Sequence, residues 1–245
     1  MAEYQSRVHA VSRAATGVDE GLRAYMLRVY NYMLVGLGLT GMVAYITANT
    51  SLRDVFFTAV PGTNAFAPNM LGMIAIFAPI GLVLLLSIRL HRMSFATAQT
   101  TFWIYCGLMG ISIASILLIY TGASVARVFF ITAITFGAMS LWGYTTKRDL
   151  SSWGSFLFMG LIGIVIASVV NMFLASSMMQ WIISVLGVII FTGLTAYDTQ
   201  RIKSEYVHFQ GGEMADKMAI MGALRLYLDF INLFIMLMFL LGQRR

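Results

Sequence analysis

Seven apolar runs of membrane-crossing length are what most constrain this chain. They fall at about residues 26–48, 69–88, 98–120, 125–144, 153–174, 178–197 and 218–241. Each is close to the roughly 20 residues that a helix needs to cross the hydrocarbon core of a bilayer. In that medium backbone polar groups must be satisfied within the segment, so each run is expected to be an α-helix. The expected fold is an all-α polytopic membrane protein, a seven-helix bundle whose last helix is central. Residues 1–25, with Arg7, Arg13, Asp19, Glu20 and Arg23, form a charged N-terminal arm, and residues 26–245 a single membrane domain. The links Thr121–Ser124 and Ala175–Ser177 are short, so the helices they join are neighbours and antiparallel.

The charge pattern sets an orientation. The net charge of +6 comes from Lys and Arg clustered between the apolar runs, the pattern of topology signals rather than of a nucleic-acid-binding surface. Arg7, Arg13, Arg23, Arg28, Arg89, Arg92, Lys147, Arg148, Arg201, Lys203 and Lys217 all belong to one side. The other side offers Arg53, Arg127 and the terminal pair Arg244 and Arg245. The positive-inside bias therefore places the N-terminus in the cytoplasm. The terminal pair runs against that bias but is outnumbered.

Motifs of soluble enzymes are missing or misplaced. Gly36-Leu37-Gly38-Leu39-Thr40-Gly41 matches a dinucleotide-binding pattern, but it lies inside an apolar run with no preceding strand. Close helix packing is its expected role. Cys106 is the single cysteine and sits in an apolar run, so no disulfide framework exists. No nucleophile–base set or metalloprotease motif occurs, and an enzyme is not expected. Nor is any tightly bound cofactor.

Against this apolar background two carboxylates stand out. Asp198 lies in Leu194-Thr195-Ala196-Tyr197-Asp198-Thr199-Gln200, and Asp229 in Leu226-Tyr227-Leu228-Asp229-Phe230-Ile231-Asn232. A buried carboxylate is expensive in a low-dielectric medium, which makes each a functional candidate. Gly211 and Gly212 mark a bend between the two runs. Asp198 is 13 residues before Gly211 and Asp229 is 17 after Gly212. In an antiparallel hairpin those depths differ by about four residues, roughly 6 Å, so the carboxyls can meet in the cytoplasmic half. Two carboxyls held together cannot both ionise cheaply, so the pair shares a proton or binds a cation. Oxygen ligands favour Ca²⁺, held weakly, with Thr199 and Asn232 as further ligands beside Asp198 and Asp229. Two arginines compete as partners of the pair. Arg225 is one turn from Asp229 on the same helix face, and Arg89 ends the second span.

These same residues carry a family resemblance. Gly193-Leu194-Thr195-Ala196-Tyr197-Asp198-Thr199-Gln200 and Leu226-Tyr227-Leu228-Asp229-Phe230-Ile231-Asn232-Leu233-Phe234 resemble the signatures of the Bax inhibitor-1 family, the transmembrane Bax inhibitor motif proteins. The layout of seven spans also fits. The resemblance implies a bacterial member in the inner membrane. It further implies a pH-sensitive Ca²⁺ leak, in which a di-aspartyl pair on the last two helices, here Asp198 and Asp229, controls a closed pore. An arginine on the second helix locks the pair in such proteins, and Arg89 is the match. The resemblance also admits a regulator that binds another membrane protein, a protease or a cell-death factor, through the charged arm. An H⁺-coupled exchanger would use the same two aspartates.

Overall fold

In the computed structural model the backbone is described for residues 2–63, 65–208 and 212–245, and side chains for residues 20–63, 65–206 and 212–245. The charged arm expected over residues 1–25 and the bend at Gly211 lie largely outside the fully described residues. The elements in chain order are helix α1 (Ala2–Asn49), the short helix α2 (Leu52–Phe56), strands β1 (Phe57–Ala59) and β2 (Phe66–Pro68), and helix α3 (Met70–Arg89). After a single 3-10 turn come α4 (Phe95–Ile119), α5 (Gly122–Thr145), α6 (Ser151–Leu174), α7 (Ser177–His208) and α8 (Gly212–Leu241). Seven of the helices are long and apolar enough to cross a membrane, so the chain is an all-α polytopic membrane protein.

Two features depart from the sequence reading. The expected loop over residues 49–69 carries the small helix α2 and an antiparallel hairpin with Phe57 opposite Pro68 and Ala59 opposite Phe66. Its turn uses Gly62 at φ 77, a left-handed position that glycine adopts without a Cβ penalty. The last membrane helix also begins before its apolar run, whereas the run on past Tyr197 in the helix before it is the amphipathic extension that residues 199–206 lead one to expect. α7 continues to His208 and α8 begins at Gly212, because charged residues in those extensions find partners. Arg28 of α1 pairs with Asp216, Glu213 pairs with Lys217 at 3.2 Å, and Glu213 also accepts the Phe95 N–H that opens α4.

α8 is the axis of the bundle. Of its most apolar window 56% is buried, against 17–39% for the other membrane helices. It packs against α1, α4, α5 and α7, whereas α6 rests mainly on α7 and α3 on α4. The exposed faces of those outer helices are apolar, with Phe156, Met159, Ile166 and Phe173 on α6 and Met70, Ile74, Ile80 and Ile88 on α3. Such a belt belongs against lipid tails rather than water.

Contacts between neighbours rely on small residues, as expected where no hydrophobic force separates helix from lipid. In the apparent dinucleotide motif only Gly36 packs tightly. A Cβ there would come within 2.9 Å of Cys106 Sγ, whereas Gly38 and Gly41 face open space. Gly143 of α5 is stricter, since a Cβ would lie 2.8 Å from Ala196 Cα on α7. Gly143→Leu is expected to cost about 1–3 kcal/mol by forcing α5 from α7. Gly137→Ala, at a position with nothing within 4 Å, is expected to be neutral or mildly stabilising. Thermal unfolding of the detergent-solubilised variants checks both.

Outside the spans, Asp149 opens α6. Hydrogen bonds from the hydroxyl and backbone N–H of Ser151 hold its carboxyl below the usual carboxylate range. A depressed folded value means that this stabilisation is present above the unfolded value and is lost as pH falls through the folded one. Asp149→Ala should therefore lower the unfolding temperature at neutral pH, with the difference from the parent closing in acid.

Candidate functional site: a carboxyl pair between the last two helices

The stretch Gly193–Gln200 of α7 presents each side chain to a different neighbour. Gly193 faces α6, where a Cβ would sit 2.8 Å from Leu157 Cδ2, and the Tyr197 ring lies over Gly154 of the same helix. Ala196 meets Gly143 of α5. The Thr199 hydroxyl donates to the Thr195 carbonyl at 2.7 Å and meets Ser140 Oγ of α5 at 2.9 Å. Gln200 clamps the α5–α6 link, its amide donating to the Arg148 carbonyl and its oxygen accepting the Leu150 N–H, both at 2.8 Å. With its other faces occupied in this way, α7 is left with Asp198 to turn toward α8.

α8 is fixed just as firmly on its opposite side. Tyr227 Oη meets Thr40 Oγ1 of α1 at 2.6 Å, and that threonine bonds the Cys106 carbonyl of α4 at 2.9 Å. The Tyr105 ring packs edge-on against Tyr227. Two residues further on, Asp229 points the other way and is only 4% exposed. Asp198 and Asp229 line one cavity of about 450 Å³, together with Asn232, Arg201, Arg225, Leu194, Phe191 and residues of α6. Their carboxyls lie within hydrogen-bonding reach of each other. Asp229 Oδ2 is buried and accepts no hydrogen bond from a donor among the described residues.

Asp229 stands 17 residues after Gly212 and 12 before Leu241, near the middle of α8. Toward the α7–α8 bend, the mouth of the cavity is closed by charge. Arg225 Nη1 donates to both oxygens of Glu205, at 2.8 and 2.9 Å, and Arg201 Nε donates to the same carboxylate at 3.0 Å. On the other side, Leu157, Phe191, Leu194, Leu233, Phe234, Leu237 and Met238 form a continuous apolar cluster.

The sequence-predicted site residues therefore divide. Asp198, Asp229, Asn232 and Arg225 share the cavity, but the hydrogen bonds of Arg225 go to Glu205 and not to Asp229. Thr199 is not a further ligand, because a helix turns about 100° per residue and its hydroxyl is committed to α5. Arg89 does not reach the pair. It is exposed at the end of α3, a helix that packs on α4, and it joins no ion pair among the described residues. Glu205 was missed by the sequence reading. Its signal is spacing, since it lies four residues after Arg201 and seven after Asp198, on one helix face.

No group of three or more His, Cys, Asp or Glu side chains suited to a metal occurs among the described residues. A cation in the cavity would meet two carboxyls and one amide, with two guanidiniums close by. That donor set suits a transient visitor better than a resident ion.

A membrane bundle with a carboxyl pair facing an internal cavity is the class of protein defined here. Residues 22–245 match the family model described as inhibitor of apoptosis-promoting Bax1, and the chain belongs to this Bax inhibitor-1 family. An uncharacterized protein of Rickettsia prowazekii is 48% identical over 245 residues, covering all of both chains. Inner membrane protein YbhL of Escherichia coli K12 is 46% identical over 92% of this chain and 94% of its own. An uncharacterized membrane protein of Streptococcus pyogenes is 34% identical over 93% and 96%. With seven membrane helices and these relatives, the chain is an integral protein of the bacterial inner membrane.

The Glu205–Arg225 pair joins α7 to α8 at the mouth, with both side chains about one-fifth exposed. A double-mutant cycle with Glu205→Gln and Arg225→Gln should give a coupling of about 1–2 kcal/mol. Thermal unfolding of the four proteins measures it.

Proposed function

We propose that this protein is a pH-sensitive calcium leak pathway rather than an enzyme, closed when Asp198 and Asp229 hold one proton between them. The observation that carries the reading is the meeting of the two carboxyls in one cavity, with Asp229 Oδ2 accepting nothing else among the described residues. Two ionised carboxylates in contact repel strongly, and the low dielectric magnifies the cost. A single shared proton turns the contact into a charge-assisted hydrogen bond, about twice as strong as a neutral one.

The charge around the cavity supports the same state. Arg201 and Arg225 supply two positive charges, Glu205 one negative charge, and the singly protonated pair a second. The cluster is then neutral. A second proton replaces the charge-assisted bond by a neutral one and leaves the cluster with a net positive charge. Both changes weaken the hold of α7 on α8. Separation of these helices would part the apolar seal around Phe191, Leu194, Leu233 and Phe234, which is the remaining barrier along the cavity. Ca²⁺ is then the passing ion, and the carboxyls, Asn232 and Glu205 are its oxygen contacts.

Proteoliposomes loaded with a Ca²⁺ dye test this directly. Flux should rise as pH falls through the titration of the pair. Asp198→Asn/Asp229→Asn, which resembles the doubly protonated state, should leak at every pH with the dependence flattened. A Ca²⁺ flux equal to that of protein-free liposomes across the whole pH range refutes the reading. Uphill Ca²⁺ movement driven by an imposed proton gradient would instead identify an exchanger.

A further inference from the structure

At the far end of the bundle from the carboxyl pair lies a second polar cavity, of about 750 Å³, which the leak reading does not use. Its lining includes Arg53, Arg244 and Arg245, together with Asn49 and Thr63. It is about 20 Å from Asp229, since 13 helical residues separate Asp229 from Gly242. We infer that this cavity is a binding site for a phosphate group, which the three arginines contact.

Three separately fixed segments build the site. The C-terminal residues are not a loose tail. The Thr121 N–H donates to the Gln243 carbonyl, the Arg245 N–H to the Ile119 carbonyl and the Gln243 N–H to Ser124 Oγ, each at 3.0 Å. Gly242 permits this path, because a Cβ there would fall 2.5 Å from the Tyr120 ring. Arg244 and Arg245 are thus presented from an ordered backbone beside the α4–α5 link. The β1–β2 hairpin forms the opposite wall. Arg53 of the adjoining helix α2 is held over the Phe66 ring of β2 at 4.5 Å and by Asp54 at 3.0 Å.

The charges do not cancel. Asp54 offsets Arg53 and the terminal carboxylate of Arg245 offsets a second positive charge, which leaves one in excess; Arg244 and Arg245 join no ion pair, and no acidic side chain lines the cavity, among the described residues. Holding two or more guanidiniums together without an anion costs free energy, and a phosphate accepts their paired N–H groups in the geometry that suits it best. This also accounts for basic residues on the side that the positive-inside bias leaves poor in them.

Depth points to the source of the phosphate. The membrane part of α1, Glu20–Asn49, has 30 residues and a length of about 45 Å, which matches a bilayer of about 40–45 Å with its headgroups. Asn49 therefore stands in the headgroup layer, where the phosphate of an anionic lipid lies. Free phosphate from the aqueous side offers the same chemistry.

The test uses the full chain. It is placed in nanodiscs of phosphatidylcholine mixed with phosphatidylglycerol, and lipid retained on release is counted by native mass spectrometry. Thermal unfolding in detergent with added phosphatidylglycerol or inorganic phosphate is read in parallel. The parent should retain phosphatidylglycerol at least tenfold better than Arg53→Gln/Arg244→Gln/Arg245→Gln. The milder Arg244→Gln/Arg245→Gln changes exposed side chains only and should show most of that loss. Arg127→Gln, an exposed arginine outside the cavity, should behave as the parent. Protection by inorganic phosphate but not by the lipid, lost in the same variants, assigns the site to free phosphate. Equal retention by parent and variants, with no arginine-dependent effect of phosphate, overturns the inference.

Discussion

The contact between Asp198 and Asp229 is the interaction to which the rest of the bundle is fitted. Two carboxyls at mid-depth in a membrane helix pair are costly unless each is satisfied or shares a proton. The fold places one of them on its most buried helix, with neighbours on almost every side. α8 cannot rotate to expose Asp229, because Tyr227 is hydrogen-bonded to Thr40 and packed against Tyr105 and Phe102 on the opposite face. α7 cannot rotate either, because Gly193, Ala196, Thr199 and Gln200 are each committed elsewhere. The pair is thus kept in contact by packing whose energy comes from other groups. A contact held by its surroundings in this way is what the proposed proton-operated switch requires.

The apolar half of this arrangement was legible in the sequence, and the polar half only in part. Spans of about 20 apolar residues announce themselves, since lipid leaves the backbone no alternative to helix. The aspartates were equally plain, because an isolated charge in such a run has no trivial explanation. Their meeting followed from counting residues on either side of a bend. What counting could not supply was rotation about the helix axis relative to neighbours. Thr199 is adjacent to Asp198 in sequence, yet it faces α5. Arg89 occupies a suitable depth, yet α3 lies outside α4 and has no path to the pair. Position along a helix is written in the sequence, whereas position around the bundle depends on which helices touch.

The same limit hid Glu205. Read alone, Thr199–Tyr206 is an amphipathic extension of ordinary polarity, and a glutamate there is unremarked. In the structure that extension runs beside the first turns of α8, and Glu205 gathers both Arg201 and Arg225. This matters for the chemistry of the pair. Arg225 lies one turn from Asp229, and unengaged it would bond that carboxylate and hold it ionised without any proton. Glu205 competes for the guanidinium and wins by a two-oxygen contact. On the proposed leak reading, this leaves the aspartates to a shared proton rather than to the arginine.

It follows that the state of the mouth and the state of the pair are linked. Loss of charge at Glu205 would free Arg225 to turn inward, and a freed guanidinium would displace the shared proton by neutralising the carboxylates itself. The resulting Arg225–Asp229 contact, one helical turn within α8, would no longer tie α8 to α7. A link between helices would be exchanged for a link within one helix. The coupling of these helices thus depends on the carboxyl contact and also on where Arg225 is directed, and Glu205 sets that direction.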